Sequence, residues 1–356
     1  MVDPDKFAAL VADWCLEAEA GQQVLIETTT LALQPAQALQ RALLDRQVWP
    51  LLRLEPAGAD AEFYRHAKAM QLDAVAPLRL EETVKADAIV RIDAPGGVNP
   101  LAAVAPELVA RHALAAAPLR KARKRWCITI WPTPALAQRA GMDEEVYAEF
   151  VSGALFLDKA DPVAAWAALS DLQADLVKRL TPAREVRIQT AGTDLRLDVT
   201  GRTWINSDGR RNMPSGEVYT GPVEHSANGV IHFDVPSAGR GEMVSGVDLR
   251  FVDGKVVEAK AQVGDRALQA ALAIDGGACY LGELGIGTNL AISRATGSTL
   301  MDEKIAGTVH LALGASYPDT GGVNESALHW DLICDLRKGG TLTVDGEALI
   351  EDGVLR

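Results

Sequence analysis

From residue 1 to residue 180 the apolar residues switch repeatedly between helical and strand spacing, and after Pro182 that alternation stops. This change of texture limits the chain to two layered architectures joined in series. Phe7, Leu10, Val11, Trp14, Cys15 and Ala18 recur at i, i+3, i+4, i+7 and i+8, which predicts a one-faced helix stopped near Gly21. QVLIET follows as a short buried strand, then a helix over 34–47, strand PLLRLE, a helix over 61–75, strand AIVRIDA and another helix. WCITIW is a fourth strand, and two helices, about 135–158 and 162–180, close the region. Strands alternating with helices imply a parallel sheet covered on its faces. No GxGxxG or GxxxxGK[ST] opens any of these helices, so no nucleotide-binding loop is expected.

Beyond Pro182, EVRIQTAGTDLRLDVTGR reads as two alternating strands about a turn. VDLRFVDGKVVEAKA and TLTVDGEALIEDG read as hairpins around Asp253-Gly254 and Asp345-Gly346. DRALQAALAI, ended by Gly276-Gly277, is a helix between them. The expected organisation is an α/β N-terminal domain with a parallel sheet, residues 1–182, followed by an α+β, mainly antiparallel C-terminal domain, residues 183–356.

A net charge of −13 argues against general binding to nucleic acid or anionic membranes, which would repel the chain. No apolar run approaches the ~18 residues of a membrane span, and the start, MVDPDKFAALVADW, lacks a basic leader, so a cytoplasmic protein is expected. The four cysteines are scattered without a CxxC and read as small buried hydrophobes in a reducing compartment. The one concentrated basic run, RKARKR (120–125), reads as cations complementing a helix C-terminus. Four of the six histidines lie between 225 and 329, so a metal site is sought there.

Four segments of the C-terminal half pair a potential metal ligand with backbone-permissive residues. RNMPSGEVYTGPVEHS delivers Glu217 after a Pro-Ser-Gly turn, and YLGELGIGTN carries Glu283 among glycines. DEKIAGTVHLALGASY carries His310 on a strand with Tyr317 in the following loop, and NESALHWDLICDLR carries His329 and Asp331. Residues i and i+2 of a strand share a face, so His329 and Asp331 reach one ion together while Trp330 packs the other way. Oxygen and nitrogen donors without a thiolate suit Zn²⁺, Co²⁺ or Mn²⁺ in a catalytic site. The set exceeds what one tetrahedral ion needs and fits two ions ~3.5–4 Å apart, bridged by a carboxylate and a water. Each residue also has a structural reading: Glu217 as a solvated strand end, Glu283 as an acceptor of backbone N–H groups, His310 as a core histidine. In the same way His329 and Asp331 read as a buried pair and Tyr317 as packing under its loop.

In order, the words NMPSGEVYTGPVE, LGELGIGTN, DEKIAGTVHLALG, SYPDTGGVNESALHWD and DLRKGG…DG run from residue 212 to residue 346. Together they resemble the aminopeptidase T family of dinuclear metallopeptidases, which includes the bacterial aminopeptidases T and S. The resemblance implies metal ligands at Glu217, Glu283, His310, His329 and Asp331, with Tyr317 at the metals as ligand or oxyanion donor. It also implies two divalent ions per chain, broad cleavage of N-terminal residues from peptide substrates, and a homodimer that encloses its active sites. Glu303 and Glu224 are the candidate general bases, each also readable as structural. His225 and His232 have no role in these motifs. Two rival readings stay open: a mononuclear non-haem Fe(II) ring-cleaving dioxygenase using His310, His329 and Asp331, and a non-catalytic peptide-binding protein.

Overall fold

The computed structural model describes residues 2–239 and 242–356. The chain forms two compact units, Met1–Trp166 with Gly209–Pro214, and Ala167–Asp208 with Ser215–Arg356.

In the first unit the strands Trp49–Glu55, Gln23–Thr29, Ala88–Asp93 and Arg125–Ile130 lie side by side in that order, all parallel. This is the sheet expected from the strand–helix alternation. A short strand from the segment read as a turn, Asn212–Met213, adds to its edge parallel to Arg125–Ile130. Val24, Ile26, Val90 and Ile92 are almost fully buried on one face, while Leu25 and Ile89 pack on the other. Burial on both faces is why these strands read as nearly continuous apolar runs.

Three predicted helices break where local chemistry intervenes. The first is α-helical over Pro4–Leu10 and widens to a π-helix over Val11–Cys15, keeping Phe7, Leu10, Val11, Trp14 and Cys15 buried. The stretch 135–158 is two helices, Pro134–Ala140 and Glu144–Ala154, because Gly141 at φ 61° closes the first with a left-handed cap. The stretch 61–75 divides into Ala59–His66 and Ala69–Leu72. Within the basic run, Arg120 and Lys121 lie in the last turn of the helix Ala117–Ala122, as the dipole argument requires.

The second unit has two antiparallel sheets. The larger contains the three predicted hairpins. Asp253-Gly254 and Asp345-Gly346 have φ of 47° and 82° and of 50° and 87°, the positive pairs that two-residue hairpin turns demand. The smaller sheet runs Ile205–Ser207, Glu217–Thr220, Leu281–Gly287, Thr308–Gly314 and His329–Asp335 in spatial order. Ile188, Leu195, Leu249 and Phe251 of the larger sheet share one core with Val218, Leu284, Leu311 and Leu332 of the smaller. Each such side chain contributes about 1.5–3 kcal/mol by leaving water, so the inner face of the smaller sheet is held firmly and its outer face is free for chemistry. Among the described residues no helix is long and apolar enough to cross a membrane. The four cysteines form no disulfide; Cys15, Cys127 and Cys334 are buried, and Cys279 is half-buried against Leu272.

Candidate metal centre

Antiparallel partners point to the same side of a sheet, so register decides what the outer face carries. Glu283 pairs with Ala312, which pairs with Asp331, forming one row across three strands. Gly285 pairs with His310 on one side and Tyr219 on the other, forming the next row. Glu217 pairs with Gly287, and His329 with Gly314. By the period-two rule all these rows share one face. Leu284, Ile286, Val309, Leu311, Trp330 and Leu332 take the other face, in the core. Trp330 therefore does turn away, donating its indole N–H to Ser237 Oγ at 3.0 Å.

Small residues alternate with the polar ones on this face, and they make room. A Cβ at Gly285 would sit 2.0 Å from His310 Nε2, so the imidazole lies directly across this glycine. A Cβ at Gly287 would meet the Ile305 carbonyl at 2.0 Å, because the 304–305 backbone passes close by. Gly216, at φ 118° and against Asn289, provides the turn that delivers Glu217. The Glu217 carbonyl is held from behind by Gln173 Nε2 at 2.7 Å.

The side chains converge. Ligand atoms of Glu217, Glu283 and His310 lie within 4.8 Å of one another, as do those of Glu283, His329 and Asp331. The two groups share Glu283. A third group, Glu303, His310 and Asp331, overlaps both. His310 Nε2 is 3.2 Å from both Glu217 Oε2 and Glu283 Oε1. His329 Nε2 is 3.6 Å from Glu283 Oε2 and 3.8 Å from Asp331 Oδ2. The His329 Nδ1–H donates to the Ala315 carbonyl at 2.8 Å, which leaves the lone pair of Nε2 directed at the carboxylates. Tyr317 borders the cluster, its ring 4.9 Å from that of His329 and 5.7 Å from that of Tyr219. All six residues singled out from the sequence thus stand at one place.

Lys304 is the residue that sequence reasoning missed. It is fully buried, with Nζ 2.5 Å from Glu217 Oε1 and in contact with Glu303. It lies inside the quoted word DEKIAG, but nothing in its spacing marks it as inward-facing. Tyr219, two residues after Glu217, was missed as well. Glu224 is elsewhere engaged: Oε2 meets Arg202 at 2.6 Å and Oε1 accepts from Val323 N at 2.7 Å, so it anchors the 317–325 loop. His232 pairs with Asp248 at 2.7 Å, and the His225 ring packs on Tyr280; neither belongs to any of the three groups.

Burial and charge compete throughout the cluster. Burial would raise the Glu217 carboxyl, but the charge of Lys304 and the bonds and charge of His310 outweigh it and hold it down to about 2. Glu283 is raised by burial and by its neighbours Asp331 and Glu217, against the pull of His310. Glu303 is pushed up to about 8 by burial, with Glu217 and Asp331 adding to it and Lys304 opposing. Burial would lower His310, yet its bonds to Glu217 and Glu283 raise it well above the ordinary histidine range. The Tyr317 and Tyr219 hydroxyls are raised by burial and by nearby carboxylates.

One carboxylate oxygen at the centre, Asp331 Oδ1, is buried with no hydrogen-bond partner, and Glu217 Oε2 has only the imidazole Nε2 of His310 beside it, at 3.2 Å. A protein rarely leaves a buried carboxylate oxygen without a donor unless a cation takes that role. Converging carboxylates and imidazoles without a thiolate suit a borderline divalent ion. The residues present therefore fit a metal centre. The triad proposed for a single iron is disfavoured: His310, His329 and Asp331 do not form one of the close groups among the described residues.

The sequence matches, across residues 3–354, the family described as thermophilic metalloproteases (M29). It is 30% identical over 263 residues to aminopeptidase 2 of Geobacillus stearothermophilus, with 63% of each chain covered. It is 31% identical over 261 residues to aminopeptidase T of Thermus aquaticus, covering 64% of this chain and 62% of that one. The chain thus spans less than two thirds of these relatives' length. The solved structure of wild-type AmpT from Thermus thermophilus shares the fold, with a TM-score of 0.86 at 24% identity, covering 99% of this chain and 98% of that one. With a match over nearly its whole length and a cluster built for divalent ions, the chain belongs to the M29 family of metalloproteases.

Proposed function

We propose that this protein is an aminopeptidase that removes N-terminal residues from peptides at a two-ion centre with a bridging water. The observation that carries this reading is the sharing of Glu283 between two donor groups, Glu217–Glu283–His310 and Glu283–His329–Asp331. A carboxylate common to two donor sets is what a pair of neighbouring cations requires of its scaffold. Two such ions, bound there, supply Lewis acidity and a water acidic enough to ionise near pH ~7. The names of the M29 relatives, aminopeptidases 2 and T, agree with a substrate that presents a free amino terminus.

The chain's own groups have separable roles. Glu217 and His310 would hold one ion, His329 and Asp331 the other, with Glu283 within reach of both sets. Tyr317 stands with its ring 4.9 Å from that of His329, which supports it as a donor for the oxygen of the scissile carbonyl or as a ligand in its own right. Loss of such a donor typically costs ~10²–10³ in rate. Glu303 reaches His310 and Asp331 without belonging to either of the two sets joined by Glu283. That position supports Glu303 over Glu224 as the general base, the carboxylate that carries a proton toward the leaving amine.

The donor chemistry favours Zn²⁺, Co²⁺ or Mn²⁺. A cytoplasmic homodimer is carried forward as part of this reading, to be tested by light scattering and fractionation. The decisive experiment measures metal content beside hydrolysis of Leu-p-nitroanilide and short peptides, with and without chelator. Two equivalents of Zn, Co or Mn with chelator-sensitive release of the first residue support the reading. One equivalent of Fe without peptidase activity overturns it.

A further inference from the structure

Lys304 is a fully buried ammonium in a cluster meant to attract cations, which is an odd place for a positive charge. Its backbone is fixed. Lys304 N donates to the Met301 carbonyl at 3.1 Å, and its own carbonyl accepts from Asn289 N at 3.0 Å. The Asn289 side chain donates in turn to the Ser215 carbonyl at 2.9 Å, two residues before Glu217. Lys304 and Glu217 are thus held against the same buried asparagine, and the close passage of Gly287 under Ile305 leaves no slack between them. The ammonium occupies Glu217 Oε1 and also contacts Glu303, while Glu217 Oε2 faces His310 Nε2 at 3.2 Å.

The formal charges assign a reason. Lys304 brings one positive charge against four carboxyl groups, Glu217, Glu283, Glu303 and Asp331, crowded around His310 and His329. Burying uncompensated charge is costly, so the ammonium offsets part of the mutual repulsion of these carboxyl groups by pairing with Glu217 and Glu303.

We infer that Lys304 is a positioning residue: it grips one oxygen of Glu217 so that the other faces the ion shared with Glu283 and His310. This rests on the two-ion reading above. It goes beyond that reading by making one of the two ion affinities depend on a residue that touches neither ion. The lysine acts on the Glu217–Glu283–His310 position and leaves the Glu283–His329–Asp331 position unaffected.

The test is a titration of metal-free protein with Co²⁺ in competition with a chromophoric chelator, comparing wild type, Lys304→Met and Lys304→Gln. Removing an outer partner of a ligand typically weakens metal binding by ~10–100-fold. Lys304→Met is expected to lose that factor at one of the two affinities and to keep the other within about threefold. Lys304→Gln retains an N–H for Glu217 Oε1 and is expected to lose less. Two effects compete, because deleting an ammonium also relieves repulsion of the incoming cations. If both variants bind Co²⁺ as tightly as wild type, or tighter, repulsion dominates and the inference is overturned. An equal loss at both affinities also overturns it, since that marks general disruption. Should Lys304→Met not fold, Lys304→Gln carries the comparison alone, with the same outcomes. A wild-type protein that takes up one equivalent refutes the two-ion reading instead. The lysine's role is then judged by whether the variants weaken that single affinity.

Discussion

Replacing Gly285 by alanine tests the arrangement of the outer face with one added carbon. Gly285 does not need a left-handed backbone, so alanine brings no conformational strain of its own. Its Cβ would stand 2.0 Å from His310 Nε2 and 2.1 Å from Cε1. Against the ordinary 3.4 Å contact the imidazole must retreat by about 1.4 Å. His310 is fully buried on a strand whose seven residues are all buried, so the ring cannot swing out into solvent. Overpacking of this kind costs about 1–3 kcal/mol of stability. A misplacement of about 1 Å at a reacting centre costs ~10² in rate. Gly285→Ala should therefore fold, lose about one ion per chain, and fall ~10²-fold or more in kcat/KM on an amino-acid anilide. The refuting result comes from a cycle with His310→Ala. Once the ring is gone, the added methyl should cost much less stability in a thermal melt, because the two changes share one overlap. If Gly285→Ala destabilises the His310→Ala background as much as the wild type, the clash lies elsewhere and the argument fails.

Other consequences are simpler. His329→Ala and Glu283→Ala should each abolish peptidase activity while circular dichroism stays that of a folded protein; retained turnover with unchanged metal content would count decisively against the assignment. Metal binding to the native state alone should raise the melting temperature, by the equivalent of about 2.7 kcal/mol at a concentration 100 times Kd. Chelator should reverse that shift, and an unchanged midpoint would deny the site its ions. Cys334 is pushed up to about 12 by burial and by Asp234, so it ionises only as pH approaches that value. It should remain unalkylated by iodoacetamide at pH 8 in the native protein and react after denaturation, as peptide mass mapping can check.

Much of this could be read from the chain before any coordinates. Strand–helix alternation in the first part and Asp-Gly hairpins in the second are local signals, and local signals survive because backbone sterics and apolar spacing act within a few residues. They failed where a single residue reset the backbone, as Gly141 did in splitting one predicted helix into two. The strand Asn212–Met213 was invisible because two residues carry no period, and only pairing with Arg125–Ile130 defines it.

The sequence by itself determined which atoms were available: carboxylates and imidazoles in four segments, each beside glycine or at a turn. Tertiary structure alone decided that Glu283 belongs to both donor groups, that the ring of His310 lies over Gly285, and that Lys304 turns inward. The physical reason is that register between strands far apart in the chain is set by the shared core beneath them, and a one-residue slip would send every one of these side chains to the opposite face.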